Sequence, residues 1–157
     1  MENLERVLRD HPFLRDLPDD QVQLLAGCAK NTRFAPGEHL FREGEEESTF
    51  FLLRQGTVAL EAHRAGGPPL CVETLGPGDV LGVSWLFDGK PGAPPAAAAN
   101  LDARARDSVV AFALDGSCLR GKMAKDDRLG HALCRRLLER VYLRLSRLRL
   151  QSLDVYG

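Results

Sequence analysis

Residues 1–30 place apolar side chains three and four positions apart, which is the spacing of one face of an α-helix. The segments ENLERVLRD and LPDDQVQLLAGCA therefore predict two short helices. Pro18 suits a first helical turn, the two aspartates after it complement the helix dipole, and Gly27 lies near the predicted end. We expect these helices to form a small lid, or bracket, that packs against the rest of the chain.

From Thr32 onward the apolar runs shorten to the length of β-strands. They are separated by glycine or proline, which is typical of antiparallel strands joined by tight turns. Gln55-Gly56 and residues 66–69 are the clearest hairpin signals. The predicted strands include TRFA, HLFREG, TFFLLRQG, TVALEAHR, LCVETLG, DARARD and VVAFALDG. Roughly eight short strands predict a mainly β fold, an antiparallel β-roll or jelly roll over residues 31–116, flanked by helices.

From Ser117 the apolar period becomes helical again. SCLRGKMAKDD predicts a short helix, and residues 127–155 predict a long one. Alternating spacings of four and three define a seam suited to pairing with a second copy, made by Cys134, Leu138, Val141, Leu145, Leu148 and Ser152. We expect a homodimer through this seam. A second apolar line is expected to lie against the barrel and comprises Leu129, Leu133, Leu137, Leu143, Leu150 and Leu153.

The length of 157 residues fits one domain. We predict a single domain over residues 1–157, with N-terminal helices at 1–30, the β-roll at 31–116 and C-terminal helices at 117–157. No internal repeat is visible.

Charge is balanced in total but not along the chain. Lysine and arginine number 21 against 22 acidic residues, a net charge of -1, so nothing draws the whole chain to nucleic acid or an anionic membrane. The long helix nevertheless carries an arginine excess, made by Arg128, Arg135, Arg136, Arg140, Arg144, Arg147 and Arg149. A solvated helix face explains such a set. Contact with nucleic acid or an acidic protein partner is the alternative.

The four cysteines occur singly, at Cys28, Cys71, Cys118 and Cys134, with no CxxC pair and no histidine at metal-ligand spacing. We expect free thiols in a reducing cytoplasm and no metal. The N-terminus lacks the apolar core of a signal peptide. No apolar run approaches the roughly 20 residues of a membrane span, so we expect a cytoplasmic protein without a membrane partner.

Several segments together resemble a known family. FLRDLPDDQVQLLA, FREGEEESTFFLLRQGTVALEA, LGPGDVLGVSWLF, the strand ending in ALDG and the long helix are similar, in this order, to the cyclic nucleotide-binding domain family. This family forms the sensor half of catabolite-activator-type bacterial regulators. The resemblance implies an antiparallel β-roll bracketed by short helices, a pocket for a cyclic nucleotide, and a long helix that pairs across a dimer.

The resemblance places the ligand site in residues 79–105, which we call the cassette. In typical family members a glycine precedes a glutamate that holds the ribose hydroxyl, a short helix offers its amides to the phosphate, and an arginine before the next strand pairs with that phosphate. Here the glycine is Gly82, but Val83 follows it, and the arginine position falls among the alanines and asparagine of residues 96–100. Ser84 and Trp85 belong to the expected helical turn, whose free amides suit an anion.

Two cations near these residues are candidates to replace the missing arginine. Lys90 lies in the loop, and Arg104 lies on the following strand. Arg104 shares one face with Arg106 by strand alternation, and we expect that face to meet solvent. The candidate ligand-binding residues of this degenerate cassette are Gly82, Val83, Ser84, Trp85, Lys90 and Arg104.

The missing side chains have a calculable effect on ligand affinity. Loss of the phosphate-pairing guanidinium forfeits about 1.5 to 3 kcal/mol, because a charge-assisted hydrogen bond disappears. Loss of the ribose carboxylate removes about 1 kcal/mol more. Together these losses weaken binding by about a hundredfold or more, which disfavours tight binding of an ordinary cyclic nucleotide.

We therefore expect a non-catalytic regulatory module that senses a different small ligand or mediates a protein interaction. The alternative is a true receptor for cAMP or cGMP in signalling or transcriptional regulation. Regulators of this resemblance carry a helix-turn-helix after the long helix, whereas this chain ends at Gly157, so direct sequence-specific DNA binding is not expected. A metal-dependent jelly-roll enzyme is not expected either, because the histidines are dispersed at His11, His39, His63 and His131. No cofactor is expected beyond a weakly held cyclic nucleotide or other small anion.

Overall fold

The computed structural model describes residues 3–45, 48–87 and 101–156. It divides into two compact units, Met1–Gly121 and Lys122–Gly157. The first unit contains all the strands that the structure describes, and the second contains the long C-terminal helix.

The first unit opens with two short helices, α1 (Leu4–Arg9) and α2 (Asp19–Ala26), with the 3-10 helix Pro12–Leu14 between them. The side chain of Asn3 caps α1 by accepting a hydrogen bond from the amide of Glu5 at 3.0 Å. The predicted pair of N-terminal helices is thus confirmed.

Buried His11 joins this helical segment to the strands. Its Nδ1 accepts a hydrogen bond from the amide of Phe13 at 3.1 Å, and its Nε2 lies 2.8 Å from the carbonyl oxygen of Leu53. One ring nitrogen accepts and the other donates, so the imidazole is neutral in this arrangement. The ring therefore links the N-terminal helical segment to β3.

Eight strands occur within the described residues: β1 (Ala29–Phe34), β2 (His39–Phe41), β3 (Thr49–Gln55), β4 (Val58–Ala62), β5 (Leu70–Leu75), β6 (Val80–Leu81), β7 (Asp102–Ala105) and β8 (Val109–Asp115). They form two four-stranded sheets, in the orders β1-β8-β3-β6 and β2-β7-β4-β5. Every strand pairing is antiparallel. The mainly β, antiparallel roll predicted from the sequence is confirmed.

One apolar core fills the space between the two sheets. Alternate residues of a strand face the same side of its sheet, and β3, β4, β7 and β8 each contribute every second side chain to this core. Larger side chains from β3 and β4 meet alanines from β7 and β8. The core comprises Phe51, Leu53, Val58, Leu60, Leu75, Leu81, Ala103, Ala105, Val109, Ala111 and Ala113.

The turn between β3 and β4 requires glycine. Gly56 has a φ of 86°, a left-handed conformation that other residues adopt at a cost. A Cβ atom there would also contact the backbone carbonyl oxygen of Ser108 and lie 2.9 Å from a carboxylate oxygen of Asp107. The tight turn predicted at Gln55-Gly56 is therefore present, but it joins strands of different sheets, so it does not close a β-hairpin.

Two helices complete the chain, α3 (Gly116–Lys125) and α4 (Asp127–Tyr156). The side chain of Asp126 begins α4 by accepting hydrogen bonds from the amides of Arg128 and Leu129 at 3.0 and 3.1 Å. Both helices match the predicted segments.

The two apolar lines of α4 differ in exposure. On the second line Leu129, Leu133 and Leu137 are buried. Its remaining leucines are 50% to 66% exposed, so the expectation of one continuous buried line is wrong for Leu143, Leu150 and Leu153. The predicted pairing seam is exposed in the single chain at Cys134, Leu138, Val141, Leu145 and Leu148. The side chain of Ser152, which completes the seam, lies outside the described residues.

The cysteine expectation needs correction. Cys28 and Cys118 form a disulfide with a Cα–Cα distance of 5.7 Å, whereas Cys71 and Cys134 are free and exposed. The two paired residues are 90 positions apart, so neither spacing nor a CxxC motif could reveal the pair. No helix among the described residues is long and apolar enough to cross a membrane.

Candidate functional site

The cassette begins where the short strand β6 leaves the sheet. Val80 and Leu81 pair with Leu52 and Phe51 of β3, so the start of the cassette is anchored at the edge of this sheet. Gly82 follows with a φ of 79°, the left-handed conformation that lets the chain turn sharply out of the strand. A 3-10 helix, Ser84–Phe87, comes next.

This 3-10 helix is the short turn that the sequence predicted. Its first hydrogen bond runs from the amide of Leu86 to the carbonyl oxygen of Val83 at 3.1 Å. Val83 and Ser84 are half-buried, and Phe87 is exposed. Residues 88–100, with Lys90 and the positions expected for the phosphate-pairing arginine, lie outside the described residues.

Trp85 is the buried anchor of the cassette. Its side chain is 0% exposed, and its ring centroid lies 5.5 Å from that of Phe50 on β3. Its indole Nε1 has no hydrogen-bond partner among the described residues. Trp85, a candidate ligand-binding residue, therefore has a packing role, because its ring holds the 3-10 helix against the core.

The first two turns of α3 contact Trp85 from the other side. A Cβ atom at Gly116 would lie only 2.6 Å from the Cβ of Trp85 and 2.8 Å from the carbonyl oxygen of Ser48. One turn further along, the guanidinium of Arg120 donates a hydrogen bond from Nη1 to the carbonyl oxygen of Trp85 at 2.5 Å. The cassette helix and α3 are thus joined by close packing and by a charged donor. The sequence analysis did not find Arg120, because nothing in its local pattern marks the contact.

Arg104 has a partner on the outer face of β7. Its neighbours Ala103 and Ala105 are 0% exposed and face the core, so strand alternation turns Arg104 outward, as expected. Its Nε and Nη2 donate to the two carboxylate oxygens of Glu61 at 2.8 and 2.9 Å. Glu61 therefore already engages both ends of the guanidinium fork, and the role of Arg104 in place of the phosphate-pairing arginine stays a prediction.

Both groups of this ion pair have shifted pKa values. The hydrogen bond from Arg104 lowers the pKa of the Glu61 carboxyl, against the opposing effect of burial. The same hydrogen bond raises the pKa of Arg104 above its usual value. The pair therefore stays ionised at neutral pH.

A second carboxylate lies beside this pair on the same outer face. Asp102 is 5% exposed and accepts the amide of Glu43 at 2.7 Å, and its other oxygen lies 3.0 Å from Nε2 of His63. The carboxylate of Glu43 is 4.0 Å from the same nitrogen. Asp102 and Arg104 share one strand face in the sequence, but their partners are 39 to 59 positions away, so the pattern alone could not assign them. These contacts tie β7, at the exit of the cassette, to β4 and to the segment after β2.

The described residues hold no group of three or more histidine, cysteine, aspartate or glutamate side chains placed to bind a metal. A surface cavity of about 760 Å³ lies away from the 3-10 helix, between α1 and the segment that precedes β6. Its lining includes Arg6, His11, Arg54, Gly78 and Phe112. None of the candidate cassette residues lines this cavity, so we base the site on the cassette geometry.

The comparisons with known proteins decide the family. The family model of the cyclic nucleotide-binding domain matches residues 31–126, from within β1 to the end of α3. The chain belongs to the cyclic nucleotide-binding domain family. The match contains the whole cassette, including the residues outside the described part of the structure.

The relatives include eukaryotic kinases and bacterial proteins. The chain is 33% identical over 87 residues to human cGMP-dependent protein kinase 2, a match to 55% of this chain and 11% of the kinase. It is 26% identical to a protein from Geobacter metallireducens GS-15 assigned to cyclic nucleotide binding, whose crystal structure superposes with a TM-score of 0.74 over 92% of this chain and 99% of the other. The catabolite activator protein of Thermus thermophilus shares the fold, with a TM-score of 0.66 and 23% identity over 91% of this chain and 63% of the other.

The chain spans about a tenth of the length of the curated relatives it matches. The part of the chain that the family model matches is a cyclic nucleotide-binding domain, and the family is regulatory.

Proposed function

We propose that the chain is a non-catalytic regulatory module whose cassette has lost the two side chains that hold a cyclic nucleotide. Its β-roll senses a different small ligand or passes a signal to a protein partner. The observation that carries this proposal is the combination of Val83 after Gly82 with the engagement of Arg104 by Glu61.

The backbone of the cassette supports a sensor rather than a purely structural module. Gly82 keeps the left-handed turn, and the 3-10 helix after it is in place. Small anions bind well to the free amides at the start of such a turn. A ligand that relies on backbone amides and apolar contact suits this cassette better than one that needs a carboxylate and a guanidinium.

Calorimetric titration of the chain with cAMP and with cGMP tests the proposal, with 5′-AMP as a matched control that lacks the cyclic phosphate. We expect no saturable heat from either cyclic nucleotide below the millimolar range. Saturable micromolar binding of a cyclic nucleotide, absent with 5′-AMP, would contradict the proposal.

The second candidate is a true cyclic nucleotide receptor. The match to the family model and the similarity to cGMP-dependent protein kinase support it. In that case Lys90, Arg104, Ser84 and the backbone amides supply the contacts of the missing glutamate and arginine. The same titration separates the two candidates.

We further propose that two copies pair through α4. Val141, Leu145 and Leu148 are 43% to 47% exposed and Leu138 is 69% exposed, at the spacings of a helix-pairing seam. Exposed apolar stripes of this kind mark association surfaces. The arginines of α4 flank this seam and can also serve an acidic protein partner.

A further inference from the structure

The Cys28–Cys118 disulfide joins the beginning of the β-roll to the helix that follows it. Cys28 lies between α2 and β1, and Cys118 lies in the first turn of α3. The backbone already brings these points together, because the amide of Asp115 donates to the carbonyl oxygen of Cys28 at 3.0 Å. The covalent link therefore lies beside a backbone contact that does not involve the sulfur atoms, and we expect the fold to survive reduction.

The same turns of α3 hold the cassette. Gly116 packs against Trp85 two residues before Cys118, and Arg120 donates to the carbonyl oxygen of Trp85 two residues after it. The disulfide thus lies between the two points at which α3 contacts the cassette helix. A change in the position of this turn must change both contacts.

The two cysteine residues differ in exposure. Cys28 is 8% exposed, whereas Cys118 is half-buried. Disulfides are reduced by attack of a thiolate on one sulfur, and the rate depends on access to that sulfur. Attack is therefore expected at the Sγ of Cys118.

We propose that Cys28 and Cys118 form a redox modification site that controls how firmly α3 holds the cassette. The reductant is a dithiol. Its first thiolate bonds to the Sγ of Cys118, the Cys28–Cys118 bond breaks, and the electron pair leaves on the Cys28 sulfur, which takes a proton. The second thiol of the reductant then displaces Cys118 as a thiol, so the protein gains two electrons and two protons and the dithiol becomes a cyclic disulfide. This inference does not depend on the identity of the ligand.

Counting thiols tests the first step. The chain is purified without reductant and alkylated with iodoacetamide under denaturing conditions. Its intact mass, measured by mass spectrometry, gives the number of alkylated cysteines. We expect alkylation of Cys71 and Cys134 alone, and of all four cysteines after treatment of the folded chain with dithiothreitol. Four alkylated cysteines before reduction, or an unchanged pair after it, would overturn the proposal.

Trp85 reports the second step, because it is the single tryptophan of the chain and belongs to the cassette helix. We expect dithiothreitol to raise the acrylamide quenching constant of Trp85 by about twofold, as a looser local structure admits the quencher. The variant Cys118→Ser should give the raised constant with and without the reductant. The variants Cys71→Ser and Cys134→Ser should respond like the unmodified chain.

Far-UV circular dichroism completes the experiment. We expect the spectrum to stay the same on reduction, because β-pairing is retained while the α3 contact loosens. Loss of the spectrum would make the disulfide a structural staple and overturn the proposal. An unchanged quenching constant in a chain whose disulfide is shown to be reduced would overturn it as well.

Discussion

Gly116 is the position at which a single methyl group should disturb the cassette most directly. It is the first residue of α3, and its amide donates to the carbonyl oxygen of Ser48 at 2.8 Å. In the variant Gly116→Ala the new Cβ would lie 2.6 Å from the Cβ of Trp85, 3.0 Å from its Cγ and 2.8 Å from the Ser48 oxygen. Two of these atoms are the first two side-chain carbons of Trp85 and the third is a backbone oxygen. Moving any of them requires a shift of the backbone or of the whole indole ring.

The expected magnitude follows from the size of this clash. Extra methyl groups in well-packed interiors cost about 1 to 3 kcal/mol, because neighbours shift away from their preferred positions. The higher helix propensity of alanine offsets part of this loss of stability. It favours alanine over glycine by about 1 kcal/mol in a helix interior and by less at a first turn. We therefore expect Gly116→Ala to lower the free energy of unfolding by about 1 to 2 kcal/mol.

Urea unfolding followed by the emission of Trp85 measures this loss at the site of the change. With a typical slope of about 2 kcal/mol per molar urea, the midpoint should fall by roughly 0.5 to 1 M. Gly121→Ala is the matched control on the same helix, because a Cβ atom there meets nothing within 4 Å. This control should raise the midpoint, since only the gain in helix propensity remains.

The two variants together separate packing from propensity. If Gly116→Ala raises the midpoint as Gly121→Ala does, then α3 does not lie against Trp85 as described. The tie between α3 and the cassette would then fail, and the proposed redox control with it.

The remaining predictions concern the seam, the cassette and the outer ion pair. Replacing Leu145 with glutamate should convert a dimer to a monomer in light scattering, because the seam would carry repelling charges. Leu143→Glu, outside the seam, should leave the mass unchanged. A wild-type chain that is monomeric at tens of micromolar would refute the pairing. Val83→Glu should raise the affinity for cAMP or cGMP by about fivefold in calorimetry, since a carboxylate restores roughly 1 kcal/mol of ribose contact. The control Val83→Gln should restore less of this affinity. No gain in affinity for Val83→Glu would mean that the cassette holds no ribose. The hydrogen bond from Arg104 lowers the pKa of the Glu61 carboxyl below its usual value. Its ionisation therefore adds stability above the unfolded-state pKa, and this contribution is lost as the pH falls through the lower folded-state value. The difference in urea midpoint between the wild type and Glu61→Gln should therefore be larger at about pH 7 than at about pH 3, and an equal difference at both values would refute the ionised pair.

The strands were predictable because their signals are local. TFFLLRQG and VVAFALDG contain apolar runs of strand length ended by glycine, and they became β3 and β8, the central strands of one sheet. Strand alternation also correctly placed Arg104 on the opposite side of the sheet from its buried neighbours Ala103 and Ala105. The short strand β6 was not predicted, because two paired residues leave no periodic pattern.

The partners of polar and sulfur-containing side chains were not predictable. Arg104 met Glu61, 43 positions away, and Cys28 met Cys118, 90 positions away. The local sequence around a residue does not indicate its long-range partner, because such contacts depend on the register of strands and on where helices end. The same reason explains why the disulfide replaced the expected free thiols.

The sequence by itself determined the antiparallel β-roll, the bracketing helices, the position of the cassette and the absence of a carboxylate after Gly82. These properties depend on residue type and spacing over a few neighbours, which a linear pattern records. Only the tertiary structure decided that Arg104 is held by Glu61, that Trp85 is held between β3 and α3, and that Cys28 is bonded to Cys118. Each of these depends on segments far apart in the chain, which meet only once the sheets have formed.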